Sequence, residues 1–130
     1  MTAPVCLRDA VVLAIHSRQL AEHGGQEGIR DENLLHSALA RPQNLWGYSD
    51  PQPDVSALAA AYAFGIARDH AFVDGNKRTA YVVCRTFLRL NGHDLEAAPE
   101  EKYIAFLRLA EGSLDEPGLA GWIRAHLRQL

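Results

Sequence analysis

An all-α domain is what this sequence predicts, and three observations carry the prediction. Apolar residues recur at three- and four-residue spacing in six separate segments, Asp, Pro and Gly fall where such segments would begin and end, and no stretch alternates convincingly enough to be a strand. The 130 residues are 48% hydrophobic, enough for a core without disulfide or metal staples, so residues 1–130 are read as one domain.

The first helix runs from Leu7 to Glu22, with Val11, Val12 and Ile15 at helical spacing and Gly24-Gly25 as its end. Asp31 supplies an N-cap for a short second helix through Ala40, carrying Leu34, Leu35 and Leu39, until Pro42 interrupts the pattern. Residues 41–53 hold three prolines, a glycine, Trp46 and Tyr48, and are expected to be a loop, long enough to suggest a function. Asp54 caps the third helix, where Val55, Leu58, Ala59, Tyr62 and Ile66 form one stripe and alanines fill most of the rest, as in a helix buried nearly all round. After a polar loop, Thr79 to Leu90 repeats the pattern with Ala80, Val83, Cys84 and Phe87, and Asn91-Gly92 closes it. His93 to Leu95 is expected to be a short extended turn. Pro99, Glu100 and Glu101 read as the first turn of a fifth helix with Tyr103, Phe106, Leu107 and Ala110 on one face. The sixth begins near Asp115 and places Leu119, Trp122, Ile123, Leu127 and Leu130 on one side.

A net charge of −3 and a pI near 6.0 give no electrostatic case for nucleic acid or an anionic membrane. No apolar run approaches the roughly 18 residues of a membrane span. Cys6 and Cys84 lie far apart, with no C-x-x-C spacing and no signal peptide, so free thiols in the cytoplasm are expected.

The chemistry is concentrated in His70-Ala71-Phe72-Val73-Asp74-Gly75-Asn76-Lys77-Arg78-Thr79, between the third and fourth helices. A helix starting at about Asn76 leaves its first backbone N–H groups without intrahelical acceptors, and its dipole adds positive potential there, which makes an anion site. Lys77 and Arg78 in that same turn oppose the dipole, at a cost of roughly 0.3–1 kcal/mol each when exposed. A bound polyanion would turn the conflict into attraction, with a forked guanidinium and a point charge as donors. Gly75 lets the backbone turn or approach a ligand closely. Asp74 is a hard oxygen ligand beside this site, which is how proteins commonly hold Mg²⁺. His70 is suited to be the base for an attacking hydroxyl, and Phe72 to pin the loop to the core. The same residues also fit a plain helix-to-helix turn, with His70 in a last turn, Asp74 as a cap and Lys77-Arg78 as a solvated face. His16, His23, His36, His93 and His126 are scattered, and for each a surface or core role is the simpler reading.

The ten-residue string resembles the signature of the Fic/Doc superfamily, H-x-F-x-[D/E]-[G/A]-N-[G/K]-R. Lys77 and Thr79-Ala80 give the resemblance to its death-on-curing (Doc) branch, whereas adenylylating members usually read H-P-F-x-x-G-N-G-R. The similarity extends through Gly24-Gly25, Gly28-Ile29-Arg30-Asp31, Ile66-Ala67-Arg68 and Phe87 to Gly92. It implies a compact six-helix domain with a flap loop. It also implies a toxin of a toxin–antitoxin pair, a protein Ser/Thr kinase moving the ATP γ-phosphoryl group to a translation factor, elongation factor Tu in the phage-encoded member. Carried over, His70 deprotonates the target hydroxyl, Asp74 supports Mg²⁺, and Gly75, Asn76, Lys77 and Arg78 hold the phosphates, with Arg68 a further contact. Lys77 fills the space that a glycine leaves for the β and γ phosphates, which would favour ATP entering in reverse and so phosphorylation over adenylylation. A nucleotidyl transferase using the same loop, or a domain that binds a partner without chemistry, are the alternatives.

Position 71 is Ala rather than Pro, which fits the Doc branch, but Val82 stands where the phage toxin's pattern has a polar residue, so one phosphate contact is expected to be missing. The loop at 41–53 matches the flap, which would align an extended target segment, with Trp46 and Tyr48 as contacts or folded onto the core. Self-inhibited relatives carry [S/T]-x-x-x-E-[G/N], and none of the Glu-Gly or Glu-Asn pairs at 27, 32 and 111 fits it. A separate antitoxin is therefore expected, as a segment that folds into a helix on the apolar surface.

Overall fold

A computed structural model of the chain describes residues 3–130. Among them are six helices, α1 (Asp9–His23), α2 (Glu32–Tyr48), α3 (Val55–Asp69), α4 (Asn76–Leu90), α5 (Pro99–Glu111) and α6 (Glu116–Ala125), with strands β1 (His93–Leu95) and β2 (Leu127–Gln129). The two expected aspartate caps, Asp31 and Asp54, are in place, and Asp115, near which the sixth helix was expected to begin, caps it as well. Asp31, Asp54 and Asp115 accept from the backbone N–H groups of Leu34, Ala57 and Gly118 at 3.0, 2.9 and 2.8 Å. Each offsets one of the donors that a helix start leaves without a partner.

Helix α3 is the axis of the fold. Its Ala-rich surface lets α2, α4, α5 and α6 all pack on it, and Leu58, Ala59, Ala60, Ala61, Tyr62, Ala63 and Ile66 are sealed from solvent. Phe87 of α4 meets Tyr62 at 5.0 Å between ring centroids. The Tyr62 hydroxyl accepts from the Leu7 backbone N–H at 3.0 Å, which ties the N-terminal segment to the core. Cys84 lies fully buried midway along α4, and burial pushes its thiol up to about 12; Cys6 is half-buried, and both thiols are free. Among the described residues no helix is long and apolar enough to cross a membrane.

Two expectations need correcting. Residues 41–53 are not a loop throughout, because α2 continues to Tyr48 with Pro42 buried inside it. A mid-helix proline costs about 3 kcal/mol. Here packing outweighs that cost, since the extra turns carry Leu45 and Trp46 against the core. Tyr48 remains 88% exposed. The true connection starts at Ser49 and ends at Asp54, which opens α3 at the end remote from His70, roughly 22 Å along the helix axis. This segment cannot serve as a flap beside His70.

The second correction concerns the C-terminus, where the chain leaves the α6 periodicity after Ala125. Leu127–Gln129 pair antiparallel with His93–Leu95, with Asp94 opposite Arg128. Asp94 and Leu95 are buried, so the β1 backbone groups need acceptors and donors from the chain itself, and the last residues supply them. Leu130 is accordingly exposed rather than part of a helical stripe.

Candidate active site at the start of α4

The polar loop is built by stopping one helix and starting another within seven residues. Helix α3 stops at His70, whose backbone is left-handed at φ 50°, ψ 48°. It is the one non-glycine residue with positive φ among those described. A left-handed conformation in a side-chain-bearing residue is strained by roughly 1–2 kcal/mol. Arg30 holds the turn from outside, its Nε donating to the His70 carbonyl at 2.6 Å and its Nη2 to that of Asp69 at 2.8 Å. A guanidinium on the last carbonyls of a helix also complements the dipole.

Beyond His70 the chain dips into the core. Ala71 and Phe72 are buried, as expected of the anchor, and the Asn76 side chain closes the loop over them. Its Oδ1 accepts from the Phe72 N–H at 3.1 Å and its Nδ2 donates to the Phe72 carbonyl at 2.9 Å. The Asn76 side-chain amide is thus committed to the loop, and the residue has its backbone N–H to offer an anion. His16 reaches in from α1, stacked on Phe72 with ring centroids 3.7 Å apart, with Nε2 2.8 Å from the Asp74 carbonyl oxygen.

The segment from Gly24 to Asp31 runs alongside. Ile29 bridges to Phe72, Val73 donates to the Gly28 carbonyl at 3.0 Å, and the Arg30 and Asp31 N–H groups both donate to the Ala71 carbonyl. Gly25 suits this spot because its φ of 125° would strain any residue with a side chain, and a Cβ would also crowd the Asp74 carboxylate. The Asp74 carboxylate accepts from the Gly75 N–H at 2.8 Å and from the Gln26 N–H at a longer 3.3 Å. This exposed segment, rather than residues 41–53, flanks the chemical loop.

Helix α4 then begins with Gly75 in the left-handed conformation at its N-cap, φ 76°, and no side chain capping it. The first intrahelical-type bond is from Thr79 N–H to the Gly75 carbonyl. The N–H groups of Asn76, Lys77 and Arg78 have no acceptor among the described residues and converge at the helix start. Neither cation is paired with a carboxylate among the described residues. Lys77 lies across the site with Nζ 5.0 Å from the centre of the Tyr103 ring, and Arg78 has one long contact, 3.5 Å to the Gly24 carbonyl.

These groups line a cavity of about 1140 Å³ shared by His70, Asp74 and Gly75 from the loop, by Asn76, Lys77 and Arg78 from the first turn of α4, and by Lys102, Tyr103 and Phe106 from α5. Val82 is on the same wall, where a polar side chain would reach into the cavity. Arg68 is not a lining residue; its guanidinium packs against Gly112 at the end of α5. No cluster of three or more His, Cys, Asp or Glu side chains is found among the described residues, so a cation here would depend on Asp74 with oxygens from a ligand and water.

Three contributors escape the sequence reading. Tyr103 was placed on one face with Phe106, Leu107 and Ala110 and given no part in the site, but it is 59% exposed at the cavity. Arg30 was named only within the Gly28-Ile29-Arg30-Asp31 stretch of the resemblance, with no role attached. His16 carried a local signal: the buried stripe of α1 is Val12, His16, Gln19 and Leu20, so two polar residues face inward, which a shift of the stripe by one residue from Val11 would have flagged.

The sequence model of the Fic/DOC family matches residues 6–88. A protein named Toxin Doc from Mycolicibacterium smegmatis is 47% identical over 74 residues, 57% of either chain. One named Protein kinase doc from Escherichia phage P1 is 33% identical over 89 residues, 68% of this chain and 70% of its own length. The matched stretch therefore spans just over half the length of the mycobacterial relative.

Proposed function

Since the chain belongs to the Fic/DOC family, in its death-on-curing branch, we propose that it is the toxin of a toxin–antitoxin pair and transfers the γ-phosphoryl group of ATP to a protein hydroxyl. The observation that carries this reading is the uncompensated positive end of α4. Three open N–H groups, Lys77 and Arg78 face one cavity, with His70 and Asp74 on its wall. A triphosphate supplies the negative charge that this arrangement lacks, and the relative named as a kinase supports phosphoryl over nucleotidyl transfer.

In the proposed reaction the His70 imidazole accepts the proton of an incoming Ser or Thr hydroxyl as its oxygen bonds to the γ-phosphorus. The bond from that phosphorus to the β–γ bridging oxygen breaks, and ADP leaves with the charge. Arg78 and the α4 N–H groups hold the phosphoryl oxygens, while the Lys77 ammonium, lying across the cavity, sets how deeply the triphosphate enters. Mg²⁺ bound at Asp74 would neutralise charge on the phosphates; Asp74 fits that part because Oδ2 accepts just one long amide contact. The acceptor is a translation factor of the elongation factor Tu kind, presented along the exposed 24–31 segment by backbone pairing. An antitoxin supplied in trans restrains the activity, in keeping with the lack of an internal inhibitory motif.

The test is transfer of label from γ- and from α-labelled ATP to elongation factor Tu, with Mg²⁺, by the wild type and by His70→Ala. Label from the γ position, lost in His70→Ala, is expected. Label from the α position alone would make the chain a nucleotidyl transferase.

A further inference from the structure

His16 is a buried imidazole, 5% exposed, to which the proposed reaction gives no part. It meets the chemical loop in two ways. Its ring lies flat on Phe72, with planes 9° from parallel, and its Nε2 faces the Asp74 carbonyl oxygen at 2.8 Å. A carbonyl can only accept, so Nε2 carries the proton in this contact.

The Asp74 carbonyl and the Gly75 N–H belong to one planar trans peptide and point in opposite directions. On one side His16 donates to the carbonyl; on the other the N–H donates to Asp74 Oδ1 at 2.8 Å. Turning this peptide over would break both bonds at once, and glycine at position 75 makes such a turn sterically easy. We infer that His16 is a positioning residue that aims the Asp74 carboxylate through the 74–75 peptide, leaving Oδ2 as the oxygen for a metal–phosphate ligand. The inference deepens, and rests on, the reading of Asp74 given above.

Packing and positioning make opposite demands on position 16. His16→Phe keeps a flat ring on Phe72 and loses the donor, whereas His16→Gln keeps a donor of similar reach and loses the ring. Amide hydrogen exchange at Gly75, followed by NMR, reads the peptide directly. In His16→Phe the Gly75 amide should exchange about five- to tenfold faster, the worth of one hydrogen bond, while His16→Gln stays within about twofold of wild type. The Mg²⁺ concentration for half-maximal phosphoryl transfer should move in parallel. If His16→Phe does not fold, His16→Met fills the space without a donor and takes its place. Gly75 protection that survives loss of the donor, or that falls in His16→Gln alone, overturns the inference. A wild type that transfers no phosphoryl group would instead overturn the proposed function, and the exchange comparison would still decide what His16 does.

Discussion

The two ends of α4 carry the same kind of charge and treat it in opposite ways. At the C-terminal end Arg85 and Arg89 converge on buried Asp94. Arg85 binds it in a fork, Nε to Oδ1 at 2.9 Å and Nη2 to Oδ2 at 3.1 Å, and Arg89 adds Nη1 to Oδ2 at 2.9 Å. The Leu95 N–H donates to the same carboxylate, and the Arg85 guanidinium holds its pKa down at about 2. Cations there also agree with the helix dipole. At the N-terminal end Lys77 and Arg78 oppose the dipole, lack a carboxylate partner and sit beside a strained His70. One end is electrostatically finished within the chain. The other is left unbalanced among the described residues, and that asymmetry separates a structural cluster from a candidate site better than charge counting does.

Substitutions should therefore divide cleanly between the ends, with the largest effect at His70. His70→Ala should lower transfer by roughly 10²–10⁴-fold, as removal of a general base does, with little change in the urea midpoint. Asp94→Ala should do the reverse, costing about 2 kcal/mol of stability by chemical denaturation and leaving transfer by the folded protein near wild type. Because the folded pKa of Asp94, about 2, lies below its ordinary 3.8, its contribution is fully present above the ordinary value and disappears as pH falls toward 2. Urea titrations at a series of acidic pH values should show this loss in wild type and not in Asp94→Asn.

Smaller effects sharpen the contrast. His70→Gly should be inactive yet more stable, by about 1 kcal/mol, because glycine takes the left-handed turn without strain. Lys77→Ala and Arg78→Ala should each raise thermal stability by roughly 0.3–1 kcal/mol while weakening Mg²⁺·ATP binding, read by calorimetry. If either variant is less stable than wild type, the charge at that end is satisfied inside the chain and the contrast fails.

Local signals announced much of this. Aspartate caps and three-four spacing located α3, α4 and the starts of α2 and α6, because a cap or a buried stripe needs nothing beyond its own neighbourhood. The loop from His70 to Thr79 was legible for the same reason, its residues being contiguous. Pro42 misled because its local penalty is overruled by the burial of Leu45 and Trp46, a tertiary effect. The β1–β2 pairing joins residues more than thirty positions apart in sequence, and Leu127 fits the α6 stripe equally well. His16, Arg30 and Tyr103 come to the site from three other elements, so no window around the motif contains them. The part of Asn76 was legible only coarsely, since a sequence cannot say that the side-chain amide closes its own loop and leaves the backbone N–H to face the cavity.

The sealed thiol of Cys84 gives α4 a built-in clock. With its sulfur wholly enclosed between the two ends and held in the unreactive protonated form, an alkylating reagent can modify it only when the helix lifts from α3. Trapping at that position should quicken in Asp94→Ala and stay slow in Lys77→Ala. Half-buried Cys6 would react in the same tube as an internal standard, so a single mass spectrum would time how often the interior opens.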